Sequence, residues 1–296
     1  MATLLDQSRV AEPERVAGVS SRGFLRDLAS DFWKYVILLV LAVLTFYPIF
    51  FMVETSFKDT PQFYHSFWWF AWPLHLENYS TAWGAVSHYV VNSLLVCITS
   101  LAGVLLFSSL SGYVFARYRF FGREVLFYAV IAILMVPNVL TLVPTFLLVR
   151  NLGLLNTYWA MILPYIAGGQ VFAIFLLRGF IASLPEEVFE SARVDGASAF
   201  QSYLYIAIPL SLPILSVIAV TNFLGNWNEF LWPLVTINDD AIKPITTGLL
   251  QLSSQYGSQT GALFASYVIA SLPLFILFMF ASRTFVKGIT SGAFKM

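Results

Sequence analysis

The side chains able to do chemistry gather in three stretches of this chain. Between Ser183 and Ser198 lie Glu186, Glu187, Glu190, Arg193 and Asp195; near residue 230 run Asn226, Trp227, Asn228 and Glu229, with Asp239 and Asp240 beyond; and His65, His75 and His88 fall between the first two apolar runs. The second group has carboxylates but no histidine or nucleophile beside them, so it lacks the pairing that hydrolytic catalysis needs. The histidine spacings match no metal-ligand pattern, and no metal site is expected. No G-x-S-x-G elbow, H-E-x-x-H pair or G-x-x-x-x-G-K-[ST] phosphate loop occurs, so the chain is not expected to be an enzyme or to hold ATP in that manner. What the first group can do is recognise another protein through ionic and hydrogen-bonding contacts.

Local chemistry makes that first group a short helix, a break and a second helix. Ser183 followed by Glu186 has the capping-box spacing, and Pro185 fits the first turn. The glutamates near its start suit the positive end of the helix dipole. Asp195-Gly196 is placed to end the helix, glycine taking a left-handed cap without strain. Val188, Ala192 and Asp195 share one face, so the element is weakly amphipathic and offers little to lie on lipid with. A rigid elbow for a protein partner is expected over 183–205.

The remainder of the chain must position this elbow. Hydrophobic residues make up 58% and charged residues 11%, against roughly 25% charged in soluble domains, which makes this a membrane protein. Net charge is zero, so no basic surface points to nucleic acid. Cys97 is the one cysteine, inside an apolar run, and reads as a structural thiol. Apolar runs of about 20 residues, long enough to cross a bilayer, recur over Tyr35–Val53, Tyr89–Tyr113, Leu126–Val149, Tyr158–Leu177, Leu204–Leu224 and Leu263–Ala281. The expected fold is all-α, with six transmembrane helices. Residues 1–34 read as a polar cytoplasmic tail, 35–87 as the first span with an aromatic outer loop, 88–283 as the five-helix body, and 284–296 as a second cytoplasmic tail. The first apolar run begins too late and is too long for a signal peptide.

Thirteen of the sixteen lysines and arginines fall on one side of this topology, leaving Lys58, Arg150 and Lys243 on the other. Positive residues stay cytoplasmic, so both termini and the elbow are expected there. The opposite side carries Phe63 to Pro73, rich in tryptophan and phenylalanine with one tyrosine, as an interfacial aromatic belt is. No ionisable residue lies deep in a span, which argues against a proton-coupled carrier. Pro48, Pro137, Pro144, Pro164, Gly168, Gly169, Pro209, Pro213 and Pro273 interrupt the runs instead. They imply either simple kinks or broken helices lining a cavity.

Glu190-Ser191-Ala192, then Gly196, then Ile206-Ala207-Ile208-Pro209 resembles the E-A-A-x-x-x-G-x9-I-x-L-P signature of the inner-membrane permease subunits of binding-protein-dependent ABC importers, departing at Ser191 and Ile208. Leu76 to Tyr79, Asn92-Ser93, Gly112 to Phe120, Asn226 to Leu234 and Val286 to Lys295 are similar to the maltose-type, MalG-like carbohydrate branch. The resemblance implies a type I ABC importer permease fold in the cell membrane, with the elbow as a coupling helix. Glu190, Ser191, Ala192, Gly196, Ile206 and Pro209 would carry the coupling to the ATPase. It further implies a second permease subunit, two ATP-binding subunits that hold ATP and Mg, and an extracytoplasmic solute-binding protein; no cofactor is expected in this chain. Asn92, Asn138, Asn222, Asn226 and Trp227 are the candidates for the solute path, since amides and aromatic faces suit sugars. Each is equally suited to bonding a neighbouring helix. A polyol or a glycerol phosphate ester is the alternative cargo, and a secondary carrier or channel the alternative class.

Overall fold

The structure is a computed structural model that describes residues 21–293, with side-chain surroundings for 32–279; the N-terminal stretch before Ser21 and the last three residues lie outside it. Every regular element among the described residues is helical. The chain divides at residue 51 into two units. The first holds most of α1 (Ser21–Thr55), an apolar helix that starts inside the expected tail. Thr45 in its middle satisfies its own hydroxyl by donating to the Leu41 carbonyl at 2.7 Å, as a polar group facing lipid must.

In the second unit, α2 (Thr60–His65) is followed by the long α3 (Glu77–Arg117), α4 (Arg123–Ala132), α5 (Asn138–Asn151), α6 (Trp159–Ala182) and the short α7 (Glu186–Val194). Then come α8 (Ala199–Ser202), a π-helical turn over Tyr203–Ala207, α9 (Ile208–Leu210), α10 (Leu212–Asn228), α11 (Leu231–Thr236), α12 (Ile245–Gln255) and α13 (Thr260–Ala293). Four single helices, α1, α3, α6 and α13, are long and apolar enough to cross a membrane, and two bent pairs raise the number to six.

The prolines sort themselves between the two readings that the sequence left open. Pro137 stands where α4 and α5 meet at 103°, and Pro209 and Pro213 flank the 73° bend before α10. Val136, held extended by the proline after it, cannot continue the first helix. Pro48, Pro144, Pro164 and Pro273 lie inside continuous helices. Gly169 does not break α6; a Cβ there would lie 2.6 Å from Val104 and 2.5 Å from the Asn222 amide, so its role is to let α3 and α10 approach. Gly112 does the same from α3, 2.6 Å short of Leu177 Cβ.

At the end of the bundle away from α7, the connections are pinned by buried polar groups. Glu54 and Lys58, both wholly shielded, form an ion pair, and the Lys58 ammonium also donates to the Ser66 carbonyl at 2.6 Å. The Asn78 amide donates to the carbonyls of Ser56 and Lys58 at 3.0 and 2.9 Å. Trp68, Trp69 and Trp72 of the expected aromatic belt stay exposed above this knot. His88, assigned to the outer link from sequence, instead lies on α3, because that helix starts at Glu77, well before its apolar run.

A buried charge without its partner costs about 3–5 kcal/mol. Lys58→Met should therefore lower the thermal midpoint of the detergent-purified chain markedly, and Glu54→Gln in the same background should restore part of the loss. Equal melting of wild type and Lys58→Met would refute the ion pair's role.

Candidate coupling site

The elbow is held by surprisingly few contacts. α7 has nine residues, too short to persist alone, and the one side chain it buries fully is Phe189. That ring enters a core formed by Tyr113, Leu177, Ile181, Tyr203 and Ala207 from α3, α6 and the π-helical turn. Ile206, Ile208 and Leu184 pack around its edge. The apolar face expected over Val188 and Ala192 is thus shifted by one position: Val188 is exposed, Ala192 half-buried, and Phe189 supplies the anchor.

Arg117, the last residue of α3, closes the joint. Its guanidinium lies 3.8 Å above the centre of the Phe189 ring, and one terminal nitrogen donates to the carbonyls of Ile181 and Leu184 at 3.0 and 2.9 Å. These oxygens belong to the C-terminal end of α6 and the turn after it, where unpaired carbonyls favour a cation. Hydrogen bonds to a charged group are worth roughly 1.5–3 kcal/mol each, so Arg117 holds three elements at one point. A second joint of the same kind sits beside it. Arg178 of α6 lies 3.7 Å from the centre of the Phe127 ring and donates to both Glu124 oxygens at 2.7 Å, while Arg123 pairs with the same carboxylate.

The two ends of α7 differ, and its start lacks the side-chain cap expected from sequence. Ser183 is no capping residue of α7; it terminates α6 and its hydroxyl donates to Phe180 O at 2.7 Å, and Pro185 precedes the first turn. Leu184 and Pro185 stand between Ser183 and the first residue of α7, which leaves Ser183 too far back to cap the helix start. The capping box belongs to Ser198 and Gln201 at the head of α8. At the C-terminal end the reading holds: Ala197 N–H donates to Ala192 O at 2.9 Å and Gly196 N–H to Arg193 O at 3.1 Å, a Schellman closure with Gly196 at φ +82°. Nothing lies within 4 Å of where a Gly196 Cβ would stand. The need for glycine is therefore one of backbone angle and not of space.

With Phe189 turned inward, Glu187, Glu190, Ser191 and Val194 share the outward face of α7, all exposed, Val194 at 88%. Ser191 donates to the Val188 carbonyl and keeps to its own helix. Of the other expected coupling residues, Ile206 is half-buried in the π-helical turn and Pro209 is exposed in α9. From sequence alone neither Arg117, within the matched Gly112–Phe120 stretch, nor Phe189 has an assigned role. The signal available was an aromatic and a guanidinium in two matched stretches.

The solute-path candidates separate. Asn92 is buried; its amide donates to the carbonyls of Ala241 and Lys243, both at 2.9 Å, and accepts from Tyr158 at 2.7 Å. Trp227 is buried and stacked on Phe223 with ring centres 5.6 Å apart. Asn222 accepts from Asn226 one turn on, both half-buried, and Asn138 is exposed at the break between α4 and α5. No cluster of three metal-ligating side chains occurs among the described residues.

Residues 105–291 match the family described as binding-protein-dependent transport system inner membrane component. Among curated relatives, the diacetylchitobiose uptake system permease protein NgcG of Streptomyces coelicolor is 33% identical over 268 residues, 88% of each chain. The lactose transport system permease protein LacG of Rhizobium radiobacter is 32% identical, covering 89% of this chain and 96% of its own. Among solved structures, a bacterial ABC transporter that imports alginate contains a chain superposing with a TM-score of 0.77 at 20% identity, over 87% of this chain and 97% of that one. The fold is that of an ABC importer permease. The chain belongs to the family of inner membrane components of binding-protein-dependent transport systems, and it is an ABC-transporter permease.

Replacing a buried Phe by Ala removes about 3–5 kcal/mol of packing. Phe189→Ala should speed hydrogen exchange of the amides between Glu186 and Ala197 at least tenfold, whereas Glu190→Ala should leave it unchanged. Unaltered exchange in Phe189→Ala would mean that α7 is anchored by something else.

Proposed function

We propose that this chain forms one half of the translocation path of an ATP-driven sugar importer and that α7 is the element through which a separate ATPase drives it. The observation that carries this reading is the division of α7 into two faces. Its inward face is fastened to α3 and α6 through Phe189 and Arg117, and its outward face presents Glu187, Glu190 and Val194. A push on the outward face moves the ends of two spans together.

The companions in this reading are a second permease subunit, two ATP-binding subunits holding ATP and Mg, and an extracytoplasmic solute-binding protein. The charge asymmetry of the links supports a cytoplasmic α7 end with both termini on that side. Closure of the ATPase would rock the spans rigidly between inward and outward opening, and the breaks at Pro137 and Ser211 supply irregular backbone where such a path needs it. The relatives named for diacetylchitobiose and lactose favour a neutral saccharide as cargo, as does the lack of basic groups at membrane depth. Asn138, Asn222 and Asn226 keep polar groups accessible for it. Asn92 and Trp227, already bonded or stacked within the bundle, serve to hold that path in shape.

A β-branched residue at φ near +80° costs about 1–2 kcal/mol or more. Gly196→Val should insert normally and yet transport at most a tenth of the wild-type rate, with ATP hydrolysis no longer stimulated by loaded binding protein. Gentle extraction of the tagged wild type should recover an ATP-binding subunit, and Glu190→Arg with Val194→Asp should lose it. A chain that purifies alone and moves sugar into vesicles without ATP would overturn the proposal in favour of a carrier or channel.

A further inference from the structure

At the joint between α7 and the bundle lies a cavity of about 390 Å³, bounded by the end of α3, the Glu186, Phe189 and Arg193 side of α7 and the start of α8. Three arginines line it, Arg117, Arg119 and Arg193, against a single acid, Glu186. Arg117 is fixed by its carbonyl bonds and its stack on Phe189, but its Nε is buried and has no partner. Arg119 and Arg193 are exposed, and neither forms an ion pair among the described residues. Ser202 adds a buried hydroxyl to the wall.

Three guanidinium groups around one space, with one carboxylate to balance them, repel one another until an anion enters. Guanidinium forks match phosphate oxygens in geometry, two donors to two acceptors. The source of the phosphate follows from the position of the cavity. Arg119 belongs to the link that joins α3 to α4, between two apolar stretches, and the same link exposes Phe120 at 40% and Phe121 fully. Tyr118 of the same link is also exposed, and tyrosine beside a span is enriched at headgroup depth. Basic pockets between spans at that level take anionic lipid headgroups. We propose that this cavity binds the phosphate of an anionic phospholipid, with Arg117, Arg119 and Arg193 as its ligands and the acyl chains passing over Phe120 and Phe121. A bound lipid would tie α7 to the membrane surface on the side of its Phe189 anchor.

The test uses the chain purified together with its native companions and placed in nanodiscs of phosphatidylcholine with about 20% phosphatidylglycerol, native mass spectrometry counting the phosphatidylglycerol that stays bound. A basic residue near the surface contributes about fivefold to anionic-lipid binding, so Arg119→Gln with Arg193→Gln should lower retention about 25-fold. Arg119→Lys with Arg193→Lys should keep most of it, which separates lost charge from lost fold. Equal retention in wild type and the Gln pair would overturn the proposal. Displacement of the lipid by millimolar inorganic phosphate would also overturn it, pointing to a soluble phosphate compound. So would loss of an ATP-binding subunit from the Gln pair with lipid retention unchanged, since the cavity would then be a protein contact. The count is independent of transport, so its failure is distinguishable from failure of the importer reading.

Discussion

Arg117 is the point on which the working end of this molecule depends. A nine-residue helix with one buried side chain has no stability of its own. It stays in place because a guanidinium covers the Phe189 ring and binds the carbonyls of Ile181, at the end of α6, and Leu184, in the turn after it. Lysine could not do both at once, having a point charge where arginine has a plane and a fork. The joint therefore turns three separate pieces of chain into one body, and motion imposed on α7 is delivered to α3 and α6 without slack.

That delivery is useful because α3 and α6 are themselves packed backbone to backbone. Gly112 and Gly169 let the helices approach to where any side chain would collide. In lipid there is no hydrophobic drive for helices to associate, so close van der Waals packing and interhelical bonds must do it. The irregular stretches are placed elsewhere, at Pro137 and around Ser211. Rigid contact and broken backbone thus occupy different parts of the bundle.

The far end is fastened by a different chemistry. Glu54 and Lys58 are fully buried there, and Asn92 ties α3 to the 241–243 segment through two carbonyls and to Tyr158. Buried ionic and amide networks are strong only when each group finds its partner, and they enforce one arrangement when they do. Long connections between spans would otherwise have little to define them, since their exposed aromatic residues can meet any apolar surface.

Much of this was readable in the sequence. Runs of about twenty apolar residues are long enough to span a bilayer, so six such runs could be read from length, four of them single helices and two of them bent pairs. Gly196 as a left-handed stop followed from backbone sterics, and the elbow's family followed from spacing within a single segment. These are local properties. Only the tertiary structure decided that Phe189 and not Val188 anchors the elbow, that Ser183 ends one helix instead of starting the next, and that Asn92 and Trp227 are bonded within the bundle. It alone brought Arg117 to Phe189, seventy-two positions apart, and gathered three arginines around one cavity. A sequence states which groups a residue carries; which partner saturates them depends on distances between segments far apart in the chain, and those are set when the spans pack.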